Sequence, residues 1–561
     1  MRGVRRTMLG ELGIQDLMQQ AAIYAQTALC KSKWARLAGP KRCAIRPIPP
    51  FFARRAGEKR FPHIGLRKRR RWLSSSQSSN PNPHMKPIRP LLCLLLLSLP
   101  ALTSQAAEKA FRAGASAVDI TPAKWPVSLV GSFSDRQATK AWDPLHARAL
   151  VLENGETRLA IVVVDNCLIK RPLLDEAKRR AAQRASIPAD RILVSATHTH
   201  SAPASKTWSA IGTKASPEYL EQLTEGIADS VKRAEANLEP ARIGFGAAYL
   251  PQHVFNRRWH VAPKAKRMNP FGRTDDIVVM NPSRSKGLLR IPAGPTDPDL
   301  SFVSVQAKDG RPIALLANYS LHYVGGVPAG GVSADYFGEF ARQIARRLNA
   351  PIDGRKPFVG IMSNGTSGDI NNINFFDPKP RKDPFVQIKN VASDCADAVI
   401  RQHEFIEFKD WVPLKMQQRE LTLKLRKPTP DVLANARKFQ AAPSDKGLPP
   451  RAKAYADWAI RLHEGPATED IILQAIRIGD LGITSIPCET FVEIGLDIKA
   501  RSPLHHTFTI ELANGHYGYL PTPRQHRLGG YETWLGSCTL EINASEKIAD
   551  TLLAMLADLA K

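Results

Sequence analysis

The sequence predicts an α/β fold, with mixed β-sheets flanked by helices. Short apolar runs of strand length alternate with amphipathic runs of helix length through the middle of the chain. The strand-like runs are almost unbroken in Val, Ile, Leu and Ala, which argues for layers around a largely buried sheet. Hydrophobic residues make up 43% of the 561, enough for a substantial core.

The elements follow in order. Strands are expected at 146–152, 158–164, 191–195, 313–319 and 358–362, and helices at 173–185, 218–236, 334–348 and 391–403. The later chain reads differently. Residues 414–425 alternate as one long strand, and 431–463 are helical with a Pro/Gly break at 442–450. Residues 471–486 read as a hairpin turning at Gly479-Asp480, and 545–559 as a closing helix. Residues 269–296, rich in Gly, Pro, Arg and Ser, read as a long surface loop. No internal repeat is legible.

The net charge of +27 is unevenly spread. Residues 1–84 hold 18 Lys and Arg against three acids (Glu11, Asp16 and Glu58), so +15 of the +27 lies there. The excess beyond is unremarkable, no nucleic-acid motif accompanies it, and nucleic acid is not an expected partner. Met85 opens MKPIRPLLCLLLLSLPALTSQAA: a short basic region, an apolar run at 91–102, then small residues. That is the anatomy of a secretory signal peptide, and the run is shorter than the about 20 residues of a membrane span. The expectation is a misassigned basic leader at 1–84, a signal peptide at 85–107 and one domain at 108–561 of a secreted or periplasmic protein, with at most peripheral membrane contact. Cys167, Cys395, Cys488 and Cys538 are too few for a disulfide framework, and no CxxC offers a thiolate zinc site.

The chemistry centres on SATHTHSAP (195–203). His198 and His200 stand two apart just past a buried strand, so an extended backbone would point both to one side. Alone, the pair also fits ordinary polar histidines. His322 closes the apolar strand ALLANYSLH, where a satisfied surface histidine is equally at home. Glu489, in IPCETF, opens an amphipathic helix, a place the helix dipole alone favours for an acid. Tyr517 and Tyr519 alternate in NGHYGYL. Asn256, Arg257, Arg258, Trp259 and His260 make a cationic, aromatic edge suited to an anionic substrate or a stacked sugar, or else a solvated loop.

Taken together and in order, these motifs resemble the neutral ceramidases. SATHTHSAP resembles that family's THTHSGP, and AGASAVDITP (113–122) its opening. FNRR (255–258) resembles its Asn-Arg motif, IPCETF its PGEFT, and NGHYGYL the segment whose second tyrosine binds metal. The resemblance implies a ceramidase-like catalytic domain with one Zn2+ per chain, held by His198, His322, Glu489 and Tyr519. It implies that His200 lies near the reacting carbonyl, and that Arg257, with Asn256 and Trp259 beside it, meets substrate. The substrate would be a small-molecule or lipid amide, N-acyl sphingosine among them.

Two departures bear on that expectation. The family's GDVSPN serine falls on Asn371 in GDINNI (368–373), and an amide is no nucleophile. The family also continues into a carboxy-terminal β-sandwich, which is not expected here because the motifs run out close to Lys561. Hydrolysis without the serine is expected to use water. Zinc lowers the pKa of bound water from about 15.7 towards about 7, with Asp369 or Asp335 as base and His200 or Asn371 donating to the oxyanion. Asp369 and Asp335 also suit turn and helix capping. Two other readings remain: a binding protein that keeps the metal without catalysis, and an amidohydrolase barrel, which also uses HxH but in another motif order.

Overall fold

The structure, a computed structural model, describes residues 110–561 except 266, 283–285, 378, 381 and the side chain of 286. The leader and signal segments lie outside the described residues. Among those described, no helix is long and apolar enough to cross a membrane.

The fold repeats one topological unit three times. The first is β1 (Arg112–Asp119), β2 (His146–Glu153), β3 (Arg158–Val164), α1 (Arg171–Arg184), β4 (Ile192–Ala196) and α2 (Pro217–Ala236). Its strands pair antiparallel, antiparallel and then parallel, with α1 making the parallel crossover. The second is β5 (Glu239–Tyr249), β6 (Asp299–Ala307), β7 (Pro312–Tyr319), α3 (Asp335–Arg347), β8 (Val359–Asn364) and α4 (Val386–His403), paired in the same way. The third begins with β9 (Leu414–Lys424) and carries an inserted hairpin, α5 (Pro430–Ala441) and α6 (Ala452–Glu464). It resumes with β10 (Thr468–Ile478), β11 (Leu481–Ile486), α7 (Val492–Arg501), β12 (His506–Glu511) and α8 (Ala544–Ala560), again in that pairing. The sequence shows no repeat because the units share hydrophobic patterning, not residues.

The first two units join through β1 and β5 into an eight-stranded sheet, and the third forms a four-stranded one. The two sheets stack face to face. Leu150, Ile161, Val303 and Leu316 of the large sheet meet Ile476, Ile483 and Phe508 of the small one. The outer faces carry helices: Ala160 and Val162 meet Leu223 and Ile227 of α2, Leu315 meets Phe340 of α3, and Leu473 meets Leu552 of α8. Alternate residues of each central strand therefore face helix and sheet, and this is why these strands read as unbroken apolar runs.

One expectation fails. Residues 269–296 are not an open loop: Val278–Met280 and Leu289–Pro292 pair with Arg258–Val261 as a small sheet, and Asn269 is buried. Glycine and proline marked the turns correctly but hid two strands of three and four residues between them.

Candidate metal centre

The parallel crossovers bring the carboxyl ends of strands from all three units to one place, where α/β proteins bind ligands. His198 and His200 follow β4, His322 follows β7, Glu489 follows β11, and Tyr519 lies beyond β12. Glu489–Thr490 pairs in parallel with Tyr519–Leu520, with Glu489 opposite Tyr519 in the register. That short pairing, not the helix expected at Glu489, positions the carboxylate; the helix starts at Val492. His198 is not extended either. Its φ of 71° is left-handed, and its N–H donates to Asn166 O beside β3. Of the two tyrosines, Tyr517 turns away, its hydroxyl donating to Asp470 O at 3.4 Å.

Three imidazoles converge. His198 Nε2 lies 2.9 Å from His322 Nε2 and 3.0 Å from His200 Nε2. His198 Nδ1–H donates to Cys167 O at 2.8 Å, and a carbonyl can only accept, so Nε2 of His198 carries a lone pair. His322 Nδ1 faces Ser367 O at 3.2 Å, which fixes the same tautomer. Two lone pairs at 2.9 Å repel unless a cation lies between them. Glu489 Oε2, buried and without a hydrogen-bond partner, faces His198 Nε2 at 3.4 Å and His322 Nε2 at 3.9 Å. This nitrogen-and-oxygen donor set fits a divalent ion, with zinc the best match. Burial depresses the pKa of all three histidines, leaving them in the neutral, ligating form. Burial opposes the charge of Glu489, and hydrogen bonds from His516 and Tyr519 favour it, so that on balance the carboxyl is held below its ordinary range.

Behind the ligands lies a shell that the sequence reading missed. Ser367 Oγ faces His322 Nδ1 at 3.3 Å and donates to Glu511 Oε1 at 2.6 Å. The other Glu511 oxygen accepts from Thr490 N at 2.6 Å, so one buried carboxylate ties Ser367, which faces His322, to the backbone beside Glu489. His516 Nε2 supports Glu489 Oε1 at 3.3 Å. An acid inside the apolar strand HTFTIE was the available signal for Glu511.

The profile described as "Neutral/alkaline non-lysosomal ceramidase, N-terminal" matches residues 111–403. The chain belongs to this family. It is 30% identical over 181 residues to the neutral ceramidase of Pseudomonas aeruginosa, covering 30% of this chain and 26% of that protein. It is 22% identical over 282 residues to neutral ceramidase B of Dictyostelium discoideum, covering 47% of this chain and 36% of that one. The matches thus span well under half of these relatives' lengths. The crystal structure of the Pseudomonas aeruginosa neutral ceramidase shares the fold, with a TM-score of 0.59 at 18% identity over 81% of this chain and 75% of that one. A ceramidase complexed with C2 does so with a TM-score of 0.62 at 17% identity, over 81% of this chain and 76% of that one.

In this ceramidase-family chain the remaining expected residues divide. Arg257 is buried; Nε donates to Glu532 Oε1 at 2.9 Å, a second nitrogen donates to Gly368 O, and the guanidinium lies over the Tyr519 ring at 5.4 Å. It backs Tyr519 where the resemblance had it meeting substrate. Asn256 is engaged by Arg258 N, Asp369 and Pro295 O. Trp259 is no stacking surface: it sits 7% exposed in an apolar cluster with Val261, Leu289 and Phe375. Asp335, lifted by burial to about 6, accepts from Val324, Gly325 and Tyr336 N–H, and so holds the loop that carries Tyr323. Asp369, lifted by burial to about 7, accepts from Val492 N and Asn256 Nδ2. Both expected bases therefore clamp loops. Asn371 pairs with Phe255 across a two-residue bridge, and its amide meets Asn281.

A cavity of about 270 Å³ opens at His200, walled by Gly131, Ser132, Arg136, Ser201 and Tyr323 and by residues 325–327. Tyr323 stacks on the His200 ring at 3.7 Å between centroids. Gly131, at φ +96°, lies so close that an added Cβ would come within 2.5 Å of His200 Nδ1. Gly131→Ala is expected to displace the His200 ring and lower turnover about tenfold or more while metal content stays at wild type. Turnover close to wild type would show that the ring position does not matter.

Proposed function

We propose that the protein is an exported, zinc-dependent hydrolase that cleaves an amide bond in an N-acyl compound, with water in place of the family serine. One observation carries the reading: neutral imidazole nitrogens and a partnerless buried carboxylate oxygen converge behind His200, which lines a cavity. His198, His322, Glu489 and Tyr519 would hold the metal. When bound, zinc lowers the pKa of water and polarises a carbonyl. His200, the one imidazole that lines the cavity, handles the proton at the reacting group and donates to the developing oxyanion. Ser367 and Glu511 keep His322 in the ligating tautomer. Asn371 at the serine position favours a second reading, a binding protein that retains the metal. The segment at 85–107 supports export.

The test is metal content by mass spectrometry together with hydrolysis of short- and long-chain fluorogenic N-acyl sphingosines, by the native chain and by Asn371→Ser. One zinc per chain with turnover by the native form is expected, and the native amino terminus is expected near Ala107. Bound zinc without turnover in either form would favour the binding protein. A chain that takes up no metal would end the reading.

A further inference from the structure

Among the described residues no carboxylate pairs with Arg136. Arg136 starts a short strand, Arg136–Ala138, paired with Val127–Leu129. Its Nη2 donates to Val130 O at 3.0 Å and to His200 O at 2.6 Å. Both acceptors are neutral carbonyls. Its Nε is buried and has no hydrogen-bond partner. Arg136 itself is half-buried; the buried arginines are paired with carboxylates, Arg148 with Asp165 at 2.6 Å and Arg257 and Arg258 with Glu532 at 2.9 and 2.7 Å. A guanidinium offers five donors in a planar fork matched to a carboxylate, and one of them here is a buried N–H without a partner. Arg136 lines the cavity beside His200, and among the described residues no acidic one lines it.

Resting on the amide-hydrolase reading above, we propose that this cavity holds an anionic end of the substrate on Arg136, so that the substrates are N-acyl compounds with a carboxylate a few bonds from the scissile amide. At about 270 Å³ the cavity suits an amino-acid-sized group rather than a long chain. Ser132 and Ser201 add hydroxyls to its wall. Because Arg136 also holds the His200 carbonyl, an anion bound there sits beside the ring that handles the proton.

The experiment compares N-lauroylglycine with its neutral isostere N-lauroylglycinamide. Affinity is measured by calorimetry on the full chain, metal-loaded and chelator-treated, and kcat/KM on the loaded protein. Wild type is expected to bind the carboxylate at least about tenfold more tightly than the amide in both metal states. Arg136→Gln is expected to erase that preference with Tm within a degree or two of wild type, and Arg136→Lys to keep part of it. Equal affinities in wild type, or a preference that survives Arg136→Gln, would overturn the proposal. Wild type decides alone should the variant fail to fold. A binding preference without hydrolysis of either compound would keep the anion site and count against the hydrolase; hydrolysis of both at equal kcat/KM, with equal affinities, would do the reverse.

Discussion

His322→Ala is expected to purify with less than a tenth of the wild-type metal and to lose amide hydrolysis by about 10³-fold or more. Lewis-acid stabilisation is worth several kcal/mol, and each ~1.4 kcal/mol is a factor of ten in rate. The substitution removes one of the two nitrogens whose lone pairs meet at 2.9 Å and leaves Glu489 Oε2 facing a gap. Substitutions behind the ligand should cost less. Glu511→Gln keeps a side chain of the same shape between Ser367 and Thr490 but weakens the brace, and about 10–100-fold in metal affinity is the expected scale. Thermal melts supply a readout apart from turnover. Added zinc should raise the wild-type Tm by mass action and leave that of His322→Ala almost unmoved. A His322→Ala chain that holds one zinc and turns over normally would refute the ligand assignment.

Glu532→Gln is expected to be among the most destabilising single changes in the chain. Glu532 is fully buried and is the shared carboxylate for two guanidiniums, Arg257 at 4% and Arg258 at 0% exposure. Removing one partner of a buried ion pair costs about 3–5 kcal/mol, because the remaining charge cannot be rehydrated. Here two charges lose their partner at once. With an unfolding entropy of about 2.1 cal/mol/K per residue, a domain of roughly 450 residues shifts by about 1 °C of Tm per kcal/mol, and scanning calorimetry should record a fall of about 3–5 °C. Arg179→Ala, which breaks an exposed pair with Glu176, should leave Tm unchanged within error. A wild-type Tm for Glu532→Gln would mean that water or another group reaches the two arginines. Metal affinity should also weaken in this variant, since Arg257 packs over the ring of Tyr519.

Much of the layering was legible in the sequence. The strands expected at 146–152, 158–164, 191–195, 313–319 and 358–362 and most helices lie within a few residues of where the patterning placed them, as apolar runs or with a helical period, whereas β1, β5 and β6 at the centre of the large sheet were not among those expected. The hairpin at Gly479-Asp480 was legible for the same reason, with a left-handed Gly479 at the turn. Two short strands within 269–296 were not, because three or four residues carry too little periodicity to stand out from the turns around them.

At the site, the sequence by itself determined which residue types were available: HxH after a strand, a histidine closing another, a glutamate and a tyrosine in separate motifs. Only the tertiary structure decided how they are used. The left-handed φ of His198, the pairing of Glu489 with Tyr519 and the tautomer imposed by Cys167 O depend on backbone that folding brings together from segments apart in the chain. So does the bracing of His322 by Ser367 and Glu511. Asp335, Asp369 and Trp259 look reactive in a linear reading because carboxylates and aromatics serve chemistry and packing alike. Their roles are set by the N–H groups and apolar side chains that folding brings against them. Arg136 is the converse case: nothing in its neighbourhood in sequence marks it, and its open donor exists because the fold sets it against two carbonyls and a cavity, with no carboxylate among the described residues paired to it. The threefold recurrence of the unit was hidden in the same way, since what recurs is the order of strand pairings, and pairings are made between segments far apart in the chain.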